Sequence, residues 1–294
     1  MKKFNHIYVE ITNVCNLSCP FCIQNKREAK FLNKLEFEHI IKNIKPFTNC
    51  IYLHVLGEPL LHSSFTDFVM IADQYGMKVK LTTNGVLLDN YVDFISHSEN
   101  IIRLNISLQS LINFNAAEQD KYLVNIIDLI NKSKDNHNLY ISLRLWNNKK
   151  ELTQKEKDLI NKIMDIINYN YSDTFDGVKV KDHVYLSVED EFIWPSLDNL
   201  ANEEKSVCLG GKTHLGILSN GNVVLCCLDS LGDTKIGNIF ENSFEDIINN
   251  EVFKTIRDNL ANKKYYFELC KKCTYRNRFL KKGDLMNEAE SWRM

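Results

Sequence analysis

Nine cysteines, eight of them in two groups, constrain this 294-residue chain more than any other feature. Cys15, Cys19 and Cys22 share one short stretch near the start, Cys208, Cys226, Cys227, Cys270 and Cys273 lie in the last third, and Cys50 stands alone. Asn5, His6 and Glu10 interrupt the opening, which carries no apolar signal segment, and an odd cysteine total then argues against a disulfide framework. Metal binding or redox chemistry in the cytoplasm is the expectation. No run reaches the roughly 18 apolar residues of a membrane span. The 36 Lys+Arg against 38 Asp+Glu give a formal net charge of −2. Neither a membrane nor nucleic acid is an expected partner, because both need concentrated positive charge.

From residue 6 to about 168, short β-branched or apolar runs alternate with helix-period segments. The runs cover 6–12, 50–56, 78–84, 102–109 and 139–146, and the helical segments include 36–44, 65–74 and 121–130. Thr153 with Glu156 predicts a capped helix near 154–168, and Gly76 suits the left-handed residue after the second helix. Successive β-α units predict an α/β fold with a parallel sheet, either doubly wound or curled into a barrel. In the fourth run Arg103, Asn105, Ser107 and Gln109 alternate with apolar residues, and in the fifth Ser142, Arg144 and Trp146 do so. Parallel strands are normally apolar on both faces, so the polar face predicts a sheet curled around a ligand-bearing hollow. A sixth strand is expected at 183–188. A boundary near 200 separates 1–200 from a smaller unit, 201–294, with a hairpin turn at Asn220-Gly221 and a helix over 243–260 opened by Ser243 and Asp246.

Cys15-Asn-Leu-Ser-Cys19-Pro-Phe21-Cys22 directly follows the first strand. Three thiolates on one loop can grip three irons of a cubane 4Fe-4S cluster and leave the fourth iron open, whereas zinc sites more often pair cysteines in two knuckles. The stretch resembles the radical S-adenosylmethionine superfamily, whose C-x3-C-x-aromatic-C pattern sits after the first strand of a partial (β/α)6 TIM-type barrel. The resemblance implies that the open iron chelates S-adenosyl-L-methionine and that an electron from a flavodoxin or ferredoxin splits it to a 5'-deoxyadenosyl radical. Phe21 takes the aromatic position. Gly57-Glu58-Pro59 looks like the family's Gly-Gly-Glu-Pro motif with Leu56 replacing the first glycine. Thr82, Thr83, Asn84 and Gly85 after the third strand, with Ser107 and Arg144 on the polar faces, match cosubstrate-binding positions of relatives. The Arg144 fork suits a carboxylate.

Cys208, then Gly221 and Cys226, then Cys270-Lys-Lys-Cys273, resemble the SPASM extension in its shortened twitch form. That implies a small α+β domain with one auxiliary 4Fe-4S cluster; a zinc knuckle on the same thiols is the structural alternative. Cys50 and Cys227 are read as packing residues, Cys227 because neighbours on a strand face opposite ways. Four thiolates leave no auxiliary iron for substrate, so the implied role is to take an electron from a substrate radical. The base is sought among Glu10, Tyr52 and His54, which share the inward phase of Thr12. The chain reaches its first cysteines by residue 15, leaving no room for the N-terminal peptide-recognition domain of many relatives. An oxidoreductase acting on a small molecule or short peptide is therefore expected; the competing reading is a non-catalytic iron-sulfur or zinc protein.

Overall fold

The chain follows the alternation that its sequence predicts: β1 (His6–Val9), α1 (Lys34–Ile44), β2 (Cys50–Tyr52), α2 (Phe65–Gln74), β3 (Lys78–Thr83), α3 (Val92–His97), β4 (Ile101–Ser107), α4 (Ala116–Lys132), β5 (Tyr140–Trp146) and α5 (Gln154–Ile166). Then come β6 (Val178–Lys181), β7 (Val184–Glu189), β8 (His214–Ile217), β9 (Asn222–Val224), β10 (Lys235–Asn238), α6 (Phe244–Asn249), α7 (Glu251–Ala261) and α8 (Glu268–Lys272). The computed structural model describes residues 3–146, 154–166 and 178–279. Among them no helix is long and apolar enough to cross a membrane.

Local chemistry explains the boundaries. Asn33 and Glu36 each bond the other's backbone N–H, so a capping box starts α1 two residues before the apolar period becomes visible. Phe37, Ile40, Ile41 and Ile44 then recur at helical spacing and are buried. Asn115 and Glu118 open α4 in the same way. Gly76 and Gly221 take positive φ, as their turns require. The single helix expected over 243–260 is instead two, because Asn250 is extended and its side chain accepts from Phe253 N to cap α7. The expected cap at Thr153 lies outside the described residues.

Strands β1, β2, β3, β4, β5 and β7 are parallel neighbours in that order. The hairpin partner β6 covers the outer edge of β7 through a turn at His183, whose φ of 60° is rare outside glycine. On the other edge β8 pairs parallel with β1, His214 opposite His6, and β9 and β10 continue antiparallel. The change of unit expected near 200 is thus no break in the sheet, which runs through ten strands.

This sheet is curled. Lying flat, β1 and β7 would stand about 24 Å apart, five spacings of roughly 4.8 Å, yet Trp194, just beyond β7, donates to the carbonyl of Phe21 on the loop after β1 at 3.0 Å. The helix-covered face buries Ile7, Val9, Ile51, Leu81, Leu104, Ile106, Ile141 and Leu143. Alternation then sends Tyr8, Tyr52, Lys80, Thr82, Asn105 and Arg144 to the concave face. The result is a partial (β/α)6 barrel.

Just past β1, Glu10 is fully buried and accepts from Arg27 Nη2 at 2.6 and 2.7 Å, Leu56 N at 3.2 Å, and Ser219 N and Oγ at 2.9 Å each. Glu10, one of the three residues among which the base is sought, is therefore committed to holding three loops onto β1. Glu10→Ala leaves a largely buried guanidinium unpaired and should lower stability by about 3–5 kcal/mol in urea unfolding. Adding Arg27→Met should restore part of that loss.

Candidate functional site

Beyond Thr12 the chain leaves the sheet at the C-terminal end of β1 and folds the first three cysteines into one loop. Cys22 N bonds Cys19 O at 3.1 Å, and the Gln24 amide reaches both Cys19 O and Cys22 O. Leu17 N and Asn84 Nδ2 point at Cys15 Sγ from 3.5 and 3.7 Å, placing N–H donors on a sulfur. Trp194, beyond β7, donates to the Phe21 carbonyl at 3.0 Å. Burial and the thiols of Cys15 and Cys19 push Cys22 up to about 11. Thiols that crowd and oppose one another's ionisation form a donor set that a cationic cluster relieves, so this loop fits a site-differentiated cubane.

Glu58 braces the loop. Glu58 N bonds Val14 O at 2.9 Å, and its buried carboxylate accepts from Thr83 Oγ1 at 2.7 Å, Asn84 N at 2.7 Å and Leu60 N at 3.0 Å. Burial nevertheless raises its pKa against those bonds. Gly57 stands at φ 78°, where an added Cβ would sit 2.9 Å from Val14 O, so the glycine is required by the approach of the cysteine loop. Leu56, in the place of a glycine, gives its N–H to Glu10 and is buried. Pro59 begins a short 3-10 turn. Thr82 accepts from Asn105 Nδ2 at 3.0 Å on the concave face. The expected cosubstrate residues Gly57, Glu58 and Asn84 therefore meet the cysteine loop directly, and Thr83 stands behind them on Glu58.

The other concave-face residues gather deeper in the hollow. Tyr8 and Tyr52 stack at 4.7 Å between ring centres, and both meet His54 edge-on at 5.5 Å. Lys80 lies over Tyr52, and the Arg144 guanidinium lies 5.6 Å from the Trp146 ring. Ser107 is the register partner of Arg144. Burial, followed by the Arg144 charge, lowers His54 to about 3, so its imidazole is neutral. Burial and nearby His214, Lys80 and His54 lower His6 as well. His54 Nδ1, Asn105 Oδ1 and Trp146 Nε1 are buried without a partner among the described residues. Buried polar atoms are rarely left so, and these orphans fit a hollow that takes a polar ligand.

The second thiol group is brought together from three segments. Burial and the facing thiols of Cys226 and Cys273 push Cys208 up to about 12, and Cys270 is raised by burial and by Cys208, Cys226 and Cys273. Buried Arg276 bonds Cys273 O at 3.0 Å, supplying a cation beside this set. Cys227 departs from its expected packing role. β9 ends at Val224, so the two-residue alternation does not reach it, and its thiol joins Cys226 and a ring nitrogen of His214 within 4.8 Å. Tyr8 meets the His214 ring edge-on at 5.6 Å, linking this centre to the hollow. Neither His214 nor Cys227 carried a sequence signal beyond the turn-rich stretch after Cys227, which marks the end of the strand. Cys50, at the start of β2, is buried as expected.

Two thiol centres joined by a curled parallel sheet define the class, an α/β cluster-binding protein. Comparison sharpens this. A profile described as the radical SAM superfamily matches residues 9–137, and one described as an iron-sulfur cluster-binding domain, SPASM, matches residues 208–274. Residues 9–137 thus carry a radical SAM domain and residues 208–274 a SPASM-type domain. It is 31% identical over 115 residues to a GTP 3',8-cyclase of Synechocystis sp., covering 37% of this chain and 35% of that protein. It thus spans about a third of the length of the curated relatives it matches. Its fold is similar to BtrN in complex with AdoMet and 2-DOIA (TM-score 0.54, 17% identity, 93% of this chain and 94% of that one). It is also similar to anSMEcpe with bound AdoMet and Kp18Cys peptide (TM-score 0.60, 13% identity, 95% and 91%).

The neutral His54 sets a pH dependence. With its folded value near 3 and an ordinary value of 6.5, an unfolded chain binds a proton that the folded chain refuses throughout that interval. Stability should fall as pH drops from 6.5 toward 3, by about 1.4 kcal/mol per pH unit for this one group. His54→Gln should flatten the slope of unfolding free energy against pH, taken from urea titrations, by that amount.

Proposed function

We propose that this protein is a radical SAM enzyme that abstracts a hydrogen from its substrate and oxidises the resulting radical. The observation that carries the reading is the meeting of Cys15, Cys19 and Cys22 with Asn84 and the Glu58-braced glycine turn at the mouth of a polar hollow. When bound, a cubane held by those three thiols supplies the electron that splits S-adenosylmethionine, and a cluster on Cys208, Cys226, Cys270 and Cys273 supplies an electron sink.

The remaining work falls to side chains. Asn84 orients Cys15 and, through Asn16, the loop around it. The Gly57-Glu58 backbone fixes the rim on which a methionine moiety rests. Tyr8, Tyr52 and Trp146 wall the hollow with rings that exclude water, while Arg144 offers a cation to an anionic group of cosubstrate or substrate. His54 presents a neutral imidazole whose unpartnered Nδ1 can hydrogen-bond a polar group of the substrate. Coverage of nearly the whole of BtrN, whose structure holds AdoMet and 2-DOIA, supports a small substrate; the likeness to anSMEcpe with its peptide keeps short peptides in view.

Anaerobically reconstituted protein should hold about eight irons and eight sulfides per chain, and dithionite with S-adenosylmethionine should yield 5'-deoxyadenosine. Cys19→Ala should abolish that product, while Cys208→Ala should retain it with about four irons lost. Bound zinc in place of iron, or no 5'-deoxyadenosine from the fully loaded wild type, would sink the reading.

A further inference from the structure

The second thiol group has two sides. Towards the hollow, the Cys226 and Cys227 thiols lie within 4.8 Å of a ring nitrogen of His214, whose ring meets Tyr8 edge-on. Away from it, Cys208 lines a cavity of about 680 Å³ together with Lys3, Lys212, Lys254, Arg257 and Asp258. Four cations against one lining carboxylate is a local excess on a chain whose formal net charge is −2. Lys254 is paired with Glu251 at 2.6 Å, whereas Lys3 bonds only Ile248 O and Asn249 Oδ1 among its described partners. Burial and the neighbouring Arg257 charge lower the Lys3 pKa, as expected where like charges crowd.

The cations come from separate segments: the chain start, the approach to β8, and α7. Lys212, Lys254 and Arg257 are exposed. A compact ligand pocket converges its donors on one buried point; exposed, dispersed cations around a cleft instead steer and orient a large partner of opposite charge.

We propose that this basic cleft docks an acidic one-electron carrier protein, of the iron-sulfur or flavin class, against the auxiliary centre at Cys208. The inference rests on the reading above that the four auxiliary thiols hold a redox centre. In the exchange one electron leaves that centre and enters the carrier. The centre is oxidised by one electron, the oxidised carrier is reduced by one, and no bond or proton is transferred. Complexes of this kind are small and short-lived, which suits a surface of exposed cations.

The test uses the reconstituted full chain and an oxidised, acidic bacterial ferredoxin carrying two cubanes, titrated by calorimetry at low ionic strength. Wild type should bind it, with affinity falling as salt is raised. Lys212→Glu/Arg257→Glu should raise Kd by about tenfold or more, and Lys42→Glu/Lys121→Glu, an equal charge change elsewhere, by less than about twofold. Iron and sulfide contents should match wild type in both variants; if the first loses iron, Lys212→Gln/Arg257→Gln, expected to raise Kd about threefold, takes its place. Mixing protein with a reduced auxiliary centre and oxidised ferredoxin should bleach that centre more slowly in the cleft variant. No binding by wild type, an unchanged Kd in the cleft variant, or equally tight binding of polyglutamate or inorganic phosphate would overturn the docking proposal. Dithionite-driven cleavage of S-adenosylmethionine needs no carrier. Its absence from wild type would therefore overturn the function proposed above, separately from the binding result.

Discussion

The buried carboxylate of Glu10 is the constraint on which both thiol centres depend. It holds the segment after Cys22 through Arg27, the turn before Gly57 through Leu56 N, and the β8–β9 turn through Ser219. A carboxylate taken out of water is costly unless charge and hydrogen bonds compensate it. Here one guanidinium and three further donor bonds do so, and every bond comes from a segment that the site needs. Glu58 repeats the device one loop away with three donors. Two buried carboxylates thus fix the geometry of a loop that has no regular secondary structure of its own.

The two thiol groups differ as their proposed roles require. Cys15 is exposed, and N–H groups from Leu17 and Asn84 address its sulfur, so the first group can admit a ligand from outside. The second is drawn from a strand approach, a turn and a short helix, with Arg276 tucked beneath Cys273 and stacked 4.0 Å over Tyr265. Cluster potentials respond to net charge, hydrogen bonds to sulfur and exposure. A guanidinium held beside one centre and amide donors aimed at the other give the chain separate means of setting each.

Much of the architecture was legible because period-two alternation and capping act locally. The polar face of β4 and β5 announced a curled sheet, and Gly76 and Gly221 marked turns that only a positive φ allows. What escaped was set by distance or by a local break in a rule. Asn250 capped α7 in the middle of an apolar period, and Cys227 lay three residues beyond the end of its strand. Glu10 carried the inward phase of a base, but its partners lie up to 209 positions away in sequence, so nothing local could reveal that its oxygens were already taken.

The pairing of β8 with β1 has a consequence for how the chain is made. His6 emerges from the ribosome long before His214, its neighbour in the finished sheet. Throughout that interval the first strand presents an open edge, and such edges recruit stray strands. The loop bearing Cys15 also waits for Ser219 before Glu10 is fully satisfied. Any iron delivered during translation would meet a half-built cradle, so maturation of the nascent protein is tied to release of its last third.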